Sequence, residues 1–441
     1  MATLTSRNPY TETNATFETF SDEKVVSLLD TAHDAYREWK EMSIIDKKQL
    51  FFRLAEELED NIDTLAKLET QEMGRLYHVA KALKQTVDLI TRYTNKVELI
   101  LADEAFDHGL RGHYQYDSLG VIYGIAPWNF PFHQLLRAAV PNLLANTVVY
   151  KHASNVPMCA AAIEKLFIDA GFPEGVYTNL FIQSSQSELI ISHPHVQVNI
   201  TGGEVAGSAV ALAGKHLKRS ILELGNDAFL ILDHADMDKM VAHAVACRIS
   251  NGGQRCNGSK RFVVLEKHYD AFVEKFGQAM SELRVGDPMD KETELPPLSG
   301  SKLVQEIHTQ VTKTIAEARL VTGGEILDQE SNLYAPTVLV DVTPEMTSYK
   351  EEVFGPVASV IKSSSVDESI AIANNNAFGL SAAVFGDDIE ECERVAKRLE
   401  MIFINRQPSK ASLPFGVKKS GYGKENGAEL RAFTNKKVVL Y

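Results

Sequence analysis

Cysteine is scarce in this sequence and carries no recognisable pairing. Four occur in 441 residues, Cys159, Cys247, Cys256 and Cys392. No Cys-x-x-Cys pair or zinc-like Cys/His spacing is present, which argues against a disulfide framework and a bound metal. Long apolar runs are lacking too. None approaches the roughly 20 residues of a membrane span, and the polar opening stretch, residues 1–10, has no signal-peptide core. Positive charge is in deficit: 45 lysines and arginines against 59 aspartates and glutamates give a formal net charge of -14. That balance argues against nucleic acid or an acidic membrane surface as a partner. Repeats, low-complexity tracts and disordered linkers are missing as well. These absences point to a soluble, cytoplasmic protein, and the length predicts two or three domains.

Residues 22–100 carry apolar side chains at helical spacing: Val25, Leu28, Leu29, Ala32 and Ala35, then Leu50, Leu54, Leu58, Ile62 and Leu65. A helix-start signal, Ser21-Asp22-Glu23, stands in front of them. Residues 101–118 break the pattern, and Tyr114-Gln115-Tyr116 alternates as a hairpin arm would. From Val121 strands and helices alternate over short connections, with strands at 121–125, 147–150, 176–182 and 196–200 and helices at 132–144 and 159–170. A second such run begins near Leu230. Its helices fall at 237–249, 269–283 and 366–374, its strands at 337–342, 357–361 and 382–385. This order predicts an α/β fold with parallel, doubly wound sheets. The closing run, 436–441, reads as a strand able to pair with 101–118, in the same subunit or another.

One loop stands out: Asn251-Gly252-Gly253-Gln254-Arg255-Cys256-Asn257-Gly258-Ser259-Lys260-Arg261. A structural cysteine normally sits in apolar sequence. Cys256 sits among glycines with Arg255, Lys260 and Arg261 nearby, and cations raise the fraction of thiolate, the nucleophilic form. Pro127-Trp128-Asn129-Phe130-Pro131 puts an amide at a strand's carboxyl end, where open α/β sheets collect ligands and a fixed amide can hold an oxyanion. Lys151-His152-Ala153-Ser154 ends another strand with groups suited to a ribose or phosphate. Thr201-Gly202-Gly203-Glu204-Val205-Ala206-Gly207 is a strand-to-helix turn whose amides attract phosphate. It is neither a Gly-x-Gly-x-x-Gly fingerprint nor a P-loop. Leu222-Glu223-Leu224-Gly225 sets one carboxylate in an apolar run, where desolvation raises its pKa toward that of a general base. Glu351-Glu352-Val353-Phe354-Gly355-Pro356 offers carboxylates for ribose hydroxyls and a ring to pack on a planar one. Taken singly, each has a bland counterpart: an incidental cysteine in a surface loop, a proline-flanked turn, a solvated strand end, a glutamate held by backbone amides.

In this order the stretches resemble the aldehyde dehydrogenase superfamily. The likeness lies in Pro-Trp-Asn-Phe-Pro, Lys-x-Ala-Ser, Thr-Gly-x-Glu, Leu-Glu-Leu-Gly, Gly-Gln-Arg-Cys, Glu-Glu-Val-Phe-Gly-Pro and Leu-Pro-Phe-Gly-Val-Lys-Lys-Ser-Gly, and runs from about Thr5 to Tyr441. The nearer likeness is to short bacterial NADP-dependent succinate-semialdehyde dehydrogenases. It implies a Rossmann-type cofactor domain (1–100 and 119–225), an α/β catalytic domain (226–429) and a small β oligomerisation arm (101–118 and 430–441). A homodimer or homotetramer acting on a small aldehyde is implied with it. Cys256 would attack the aldehyde, the Asn129 amide and the Cys256 N–H would hold the oxyanion, and Glu223 would activate water against the thioester. Lys151 and Ser154 would face the adenosine ribose, Gly202 and Gly207 the diphosphate, with Thr201 beside them. Glu352 would bond the nicotinamide ribose, Phe354 would pack near the nicotinamide, and Trp128 would line the site.

Ser154 stands where NAD-preferring relatives often carry a glutamate that repels a 2′-phosphate, so NADP is the expected cofactor, with NAD the alternative. His133, Arg137 and Ser409 fall on the substrate side, where a guanidinium would select an aldehyde bearing a carboxylate. Three other readings use the same residues. One is a broad aldehyde dehydrogenase, another a CoA-acylating enzyme, which the presence of Glu223 disfavours. The third is a nucleotide-binding relative without turnover, which the intact Cys256, Glu223 and Asn129 set disfavours.

The chain departs from the family pattern in two ways. Gly203 replaces a usual serine. The chain is also one glycine short at Ala145-Asn146, Gln197-Val198, Gly225-Asn226, Glu400-Met401 and Gly416-Val417. Glycine permits positive φ and close approach in turns. Each loss removes up to roughly 3.3–3.6 Å of reach, and a misplacement of about 1 Å can cost on the order of 100-fold in rate. Some of these glycines are therefore expected to be present in the molecule. The expected intact mass exceeds that of the sequence by whole glycine residues; an equal mass would make every shortened turn real.

Overall fold

Serines start the first two helices. Ser21 and Ser43 accept the N–H groups of Lys24 and Asp46 in front of Asp22–Glu41 and Ile44–Asp60, which satisfies donors that a helix start leaves unpaired. Ile62–Met73 ends at Gly74 with φ 79°, the left-handed conformation that suits glycine after a helix. With Lys84–Ile100 these helices bury the stripes their spacing predicts, Leu50, Leu54, Leu58 and Leu65 among them. A hairpin of Thr3–Arg7 and Asn14–Glu18, unforeseen in the sequence, precedes them. The structure is a computed structural model. It describes residues 2–11, 13–106, 110–202, 207, 210, 216, 218, 220–223, 229–233, 236–399, 402–406, 417–422, 431 and 434–441, with the backbone alone at 14, 221–223, 417, 421 and 422.

Two mainly parallel sheets follow. The first has the order Gly421–Tyr422, Ser220–Glu223, Val196–Thr201, Val121–Ala126, Thr147–His152, Tyr177–Asn179, antiparallel only at its Gly421–Tyr422 edge. The second runs Arg319–Thr322, Thr337–Val340, Val357–Ser363, Arg261–Leu265, Phe229–Ile231, Ala382–Phe385, Ile402–Ile404, antiparallel only at its Arg319–Thr322 edge. The chain thus adopts the expected α/β class. Both faces of a buried parallel sheet are apolar, and the first sheet shows why its strands read as continuous runs. Ile122 packs with Val148, Tyr150 and Leu135 in one cluster, whereas Val121 and Tyr123 pack with Val149, Val198 and Ile200 in another.

The sheets set up the site by where their strands stop and start. Val121–Ala126, Thr147–His152 and Val196–Thr201 finish side by side, and Thr201 pairs with Glu223. In the second sheet, Arg261–Leu265 and Val357–Ser363 begin side by side, fed by the loops 250–260 and 351–356. The tail strand Thr434–Leu440 pairs with Gly112–Ser118 of its own chain, and Glu104–Ala105 completes that small sheet. Of the two pairings left open by the sequence, this is the intrachain one.

Two of the shortened junctions lie within the described residues, and both are continuous. Gln197 and Val198 pair in step with Ile122 and Tyr123. At Ala145-Asn146 both N–H groups bond to the Asn142 carbonyl. The Asn146 carboxamide accepts from the Leu119 and Gly120 N–H groups and donates back to the Asn142 carbonyl. A side chain closes this turn from both sides. Gly203 and the junctions at 225–226, 400–401 and 416–417 reach outside the described residues.

His152 closes its strand as a buried, neutral ring. Nε2–H donates to the Pro131 carbonyl at 3.0 Å and Nδ1 accepts the Ala153 N–H at 2.9 Å. Burial pushes its pKa down to about 4, against ~6.5 for a free imidazole. As pH falls the unfolded chain takes the proton first, so the contribution is whole above pH ~6.5 and drains away toward the folded value. At pH 5 the loss amounts to roughly 2 kcal/mol. The urea midpoint should therefore fall between pH 7.5 and pH 5, and fall less in His152→Gln. An equal fall in both chains would remove His152 as a cause.

Candidate active site

The loop bearing Cys256 is built from left-handed backbone. Asn251, Gly252 and Gly253 take φ of 58°, 65° and 76°, one residue after the helix Met237–Ile249. Asparagine is among the few side chains that tolerate this region. Here its Nδ2 donates to the backbone carbonyl of Asn129 at 2.8 Å. Gly253 is a glycine for want of room, since a Cβ would lie 2.2 Å from the Gly355 carbonyl oxygen. Buried Arg248 donates to the Gly253 and Ser259 carbonyls at 2.6 and 2.7 Å, and Lys260 Nζ to the Arg255 and Cys256 carbonyls at 3.0 Å each. The loop's carbonyls are thus turned inward onto cations, and Cys256 is left half-buried. The other cysteines are buried, as packing residues should be. Burial pushes the Cys247 thiol up to about 12 and that of Cys392 to about 11, and raises Cys159 well above its ordinary value.

Asn129 reaches this loop from the first sheet. It is buried, and its Nδ2 donates to the Gln254 carbonyl at 3.0 Å. Gln254 is itself fixed, donating to the Asn251 carbonyl and accepting the Ser299 N–H. Trp128 meets Phe354 edge to face, with ring centres 5.7 Å apart. Glu352 lies beside Lys260, Oε1 to Nζ 2.6 Å. That contact is close but poorly aligned, and Oε1 receives no directed hydrogen bond. Lys151 is buried and its ammonium reaches the His152 carbonyl at 3.3 Å; burial lowers its pKa. Ser154 is half-buried in the turn after Thr147–His152. Thr201 and Gly207 are buried and Gly202 is half-buried. Glu223 ends its strand beside Thr201, with its side chain outside the described residues, as is the whole of Ser409.

A cavity of about 540 Å³ opens over Cys256. Arg75, Arg92 and Arg255 line it, together with Phe130, His133 and Gln134. His133 Nδ1 lies 2.8 Å from Thr86 Oγ1, and burial plus the charges of Arg137 and Arg75 push its pKa down to about 3. It is therefore a neutral hydrogen-bonding group there. Arg137, the guanidinium expected at the substrate, is fully buried in Pro131–Leu143 and does not line the cavity. Arg75 and Arg92 were missed because they belong to the amino-terminal helical region, where nothing in the spacing sets them apart. Arg255 was visible only as a cation beside the thiol. Among the described residues no group of three or more metal-ligating side chains forms, and no helix is long and apolar enough to cross a membrane.

The contact between Gly253 and Gly355 should govern the pose of Cys256. Gly253→Ala is expected to lower the melting temperature and to change the rate of Cys256 alkylation by iodoacetamide by about tenfold or more. Unchanged melting and alkylation would show that the two loops yield without moving the thiol.

Residues 2–439 match the model of the aldehyde dehydrogenase family. The chain is 42% identical to the NADP+ succinate-semialdehyde dehydrogenase of Deinococcus radiodurans, over 98% of this chain and 93% of that protein. Succinic semialdehyde dehydrogenase from Streptococcus pyogenes, solved with NADP+ as the cofactor, has a TM-score of 0.97 at 35% identity, covering 99% of both chains. An aldehyde dehydrogenase from Bacillus cereus, solved with NAD+, has a TM-score of 0.96 at 30% identity, covering 100% of this chain and 93% of that one. Matched almost end to end in sequence and in backbone, the chain belongs to the aldehyde dehydrogenase family.

Proposed function

We propose that the protein oxidises succinate semialdehyde to succinate with NADP+, by way of a thioester on Cys256. The observation that carries this reading is Cys256 itself: the one cysteine that is not buried, lining a cavity among arginines, on a loop hydrogen-bonded to Asn129. The named activities of the relatives from Deinococcus radiodurans and Streptococcus pyogenes support it.

In this mechanism the Cys256 thiolate adds to the aldehyde carbon. The new alkoxide is held by the Cys256 N–H and by the Asn129 amide, which has a second hydrogen beyond the one given to Gln254. Bound NADP+ supplies the hydride acceptor, and loss of hydride from the former aldehyde carbon leaves the thioester. Glu223 takes a proton from water, whose oxygen displaces sulfur, releasing succinate and restoring the thiolate.

The chain has groups that fit the dinucleotide. Lys151 is a buried ammonium whose bond to the His152 carbonyl is long. With Ser154 it suits the 2′-phosphate and adenosine ribose, and the absence of a glutamate at 154 favours NADP over NAD. Glu352 Oε1, without a directed donor, suits a ribose hydroxyl. Thr201, Gly202 and Gly207 are assigned to the diphosphate side, Phe354 and Trp128 to the nicotinamide side. Residues 1–100 and 119–225 then form the cofactor domain and 226–429 the catalytic domain. The arm 101–118 with 430–441 joins subunits of a cytoplasmic homodimer or homotetramer.

Carboxylate selection falls to the cavity's arginines. Arg255, next in the chain to Cys256 and lining the cavity, is assigned to read a carboxylate at the far end of a four-carbon aldehyde, with Arg137 acting from behind His133. Purified protein should reduce NADP+ faster than NAD+ and prefer succinate semialdehyde to butanal. Arg255→Gln should lose roughly 10- to 100-fold in kcat/KM on succinate semialdehyde, the worth of one charge-assisted bond, and far less on butanal. Arg137→Ala, which empties a buried space behind the cavity lining, should lower both. Equal losses on both aldehydes in Arg255→Gln would leave a broad aldehyde dehydrogenase. Turnover only with CoA would leave the acylating reading, and no turnover at all a nucleotide-binding relative.

A further inference from the structure

Lys260 has no part in the chemistry above, yet it touches both halves of it. The residue is buried. Its ammonium bonds the Arg255 and Cys256 carbonyls at 3.0 Å each and lies 2.6 Å from Glu352 Oε1. The same ammonium sits 5.9 Å from the centre of the Phe354 ring. The backbone follows the same path, for the Lys260 carbonyl accepts the Ser359 N–H at 2.9 Å, joining the strands that leave the two loops. The charged or titratable groups that act on Lys260 are Glu352, Arg248 and the Cys256 thiol, and Arg255 acts on that thiol as well. A buried ammonium needs an opposite charge to offset its desolvation. Here the partner is the carboxylate assigned to the cofactor's ribose, and its misaligned Oε1 keeps an unfilled acceptor direction.

We propose that Lys260 is a positioning residue that couples cofactor occupancy to the nucleophile: a ribose hydroxyl bound to Glu352 draws that carboxylate away from the ammonium, whose charge then acts more strongly on Cys256. This rests on Cys256 being the nucleophile and Glu352 the ribose contact. The physical basis is Coulombic. A buried cation whose neutralising partner is shared with hydroxyl donors stabilises a nearby thiolate more than one that is fully paired. The carbonyls of Arg255 and Cys256, held by the same ammonium, keep the loop in place while the balance shifts.

The test is the rate of Cys256 alkylation by iodoacetamide across pH, with and without 2′-phospho-ADP-ribose. That ligand carries both riboses but no nicotinamide to cover the thiol. In the unaltered protein it should shift the alkylation profile to lower pH and raise the rate below the midpoint by about threefold or more. In Lys260→Met the ligand should still bind, with the rate changing by less than about 1.5-fold; Lys260→Arg should restore much of the effect. A Lys260→Met protein that keeps the full ligand effect overturns the proposal. If that variant does not fold, Glu352→Gln decides at ligand concentrations shown to saturate it, because a neutral amide cannot offset the ammonium: loss of the effect in the ligand-bound variant supports the coupling and its retention overturns it. Failure of the unaltered protein to bind the ligand, or alkylation elsewhere than at Cys256, would instead overturn the functional reading beneath it.

Discussion

Two reciprocal hydrogen bonds hold the site together. The Asn129 side chain donates to the Gln254 carbonyl, and the Asn251 side chain donates to the Asn129 carbonyl. One partner lies in the turn that follows a strand of the first sheet; the other belongs to the loop that feeds the second. Every assigned step depends on this junction, because the thiol and the amide assigned to the oxyanion come from different sheets and the proposed mechanism needs them at one carbon. The left-handed turn at Asn251, Gly252 and Gly253 exists to make the junction possible. The inward-facing carbonyls are its cost, offset by Arg248 and Lys260.

The electrostatics of the site run against those of the molecule. A chain with net charge -14 concentrates arginines around one cavity. Low-dielectric walls focus such a field, so local charge, not total charge, determines which small molecule is drawn in. The deficit of positive charge argues against polyanionic partners and has no bearing on a small anion.

Much of the fold was legible because period is a property of the sequence. Spacing near 3.6 marked the amino-terminal helices, and continuous apolar runs marked strands buried on both faces. The hairpin Thr3–Arg7 with Asn14–Glu18 escaped because its short polar strands carry no such run. Motif residues such as Cys256, Asn129 and Glu352 stood out through the order of their motifs taken together, since each alone had a bland counterpart. Arg137 shows the limit. In Pro131–Leu143 every residue except His133 is buried, so the helix has no polar face to reveal which side looks into the cavity. Lys260 escaped for a related reason: its importance lies in bridging two loops distant in sequence, which only the pairing of Arg261–Leu265 with Val357–Ser363 brings together.

The edge pairing of Gly421–Tyr422 with Glu223 bears on how the molecule is made. The strand carrying the assigned base precedes its outer neighbour by a long stretch of chain, as Gly112–Ser118 precedes its partner Thr434–Leu440. At roughly 5–20 residues per second, a nascent chain spends many seconds with those edges open on the ribosome. Its long helices and the central strands of the first sheet can form in that interval. The completed sheet edges cannot, because each waits for a strand far downstream, 421–422 for one and 434–440 for the other.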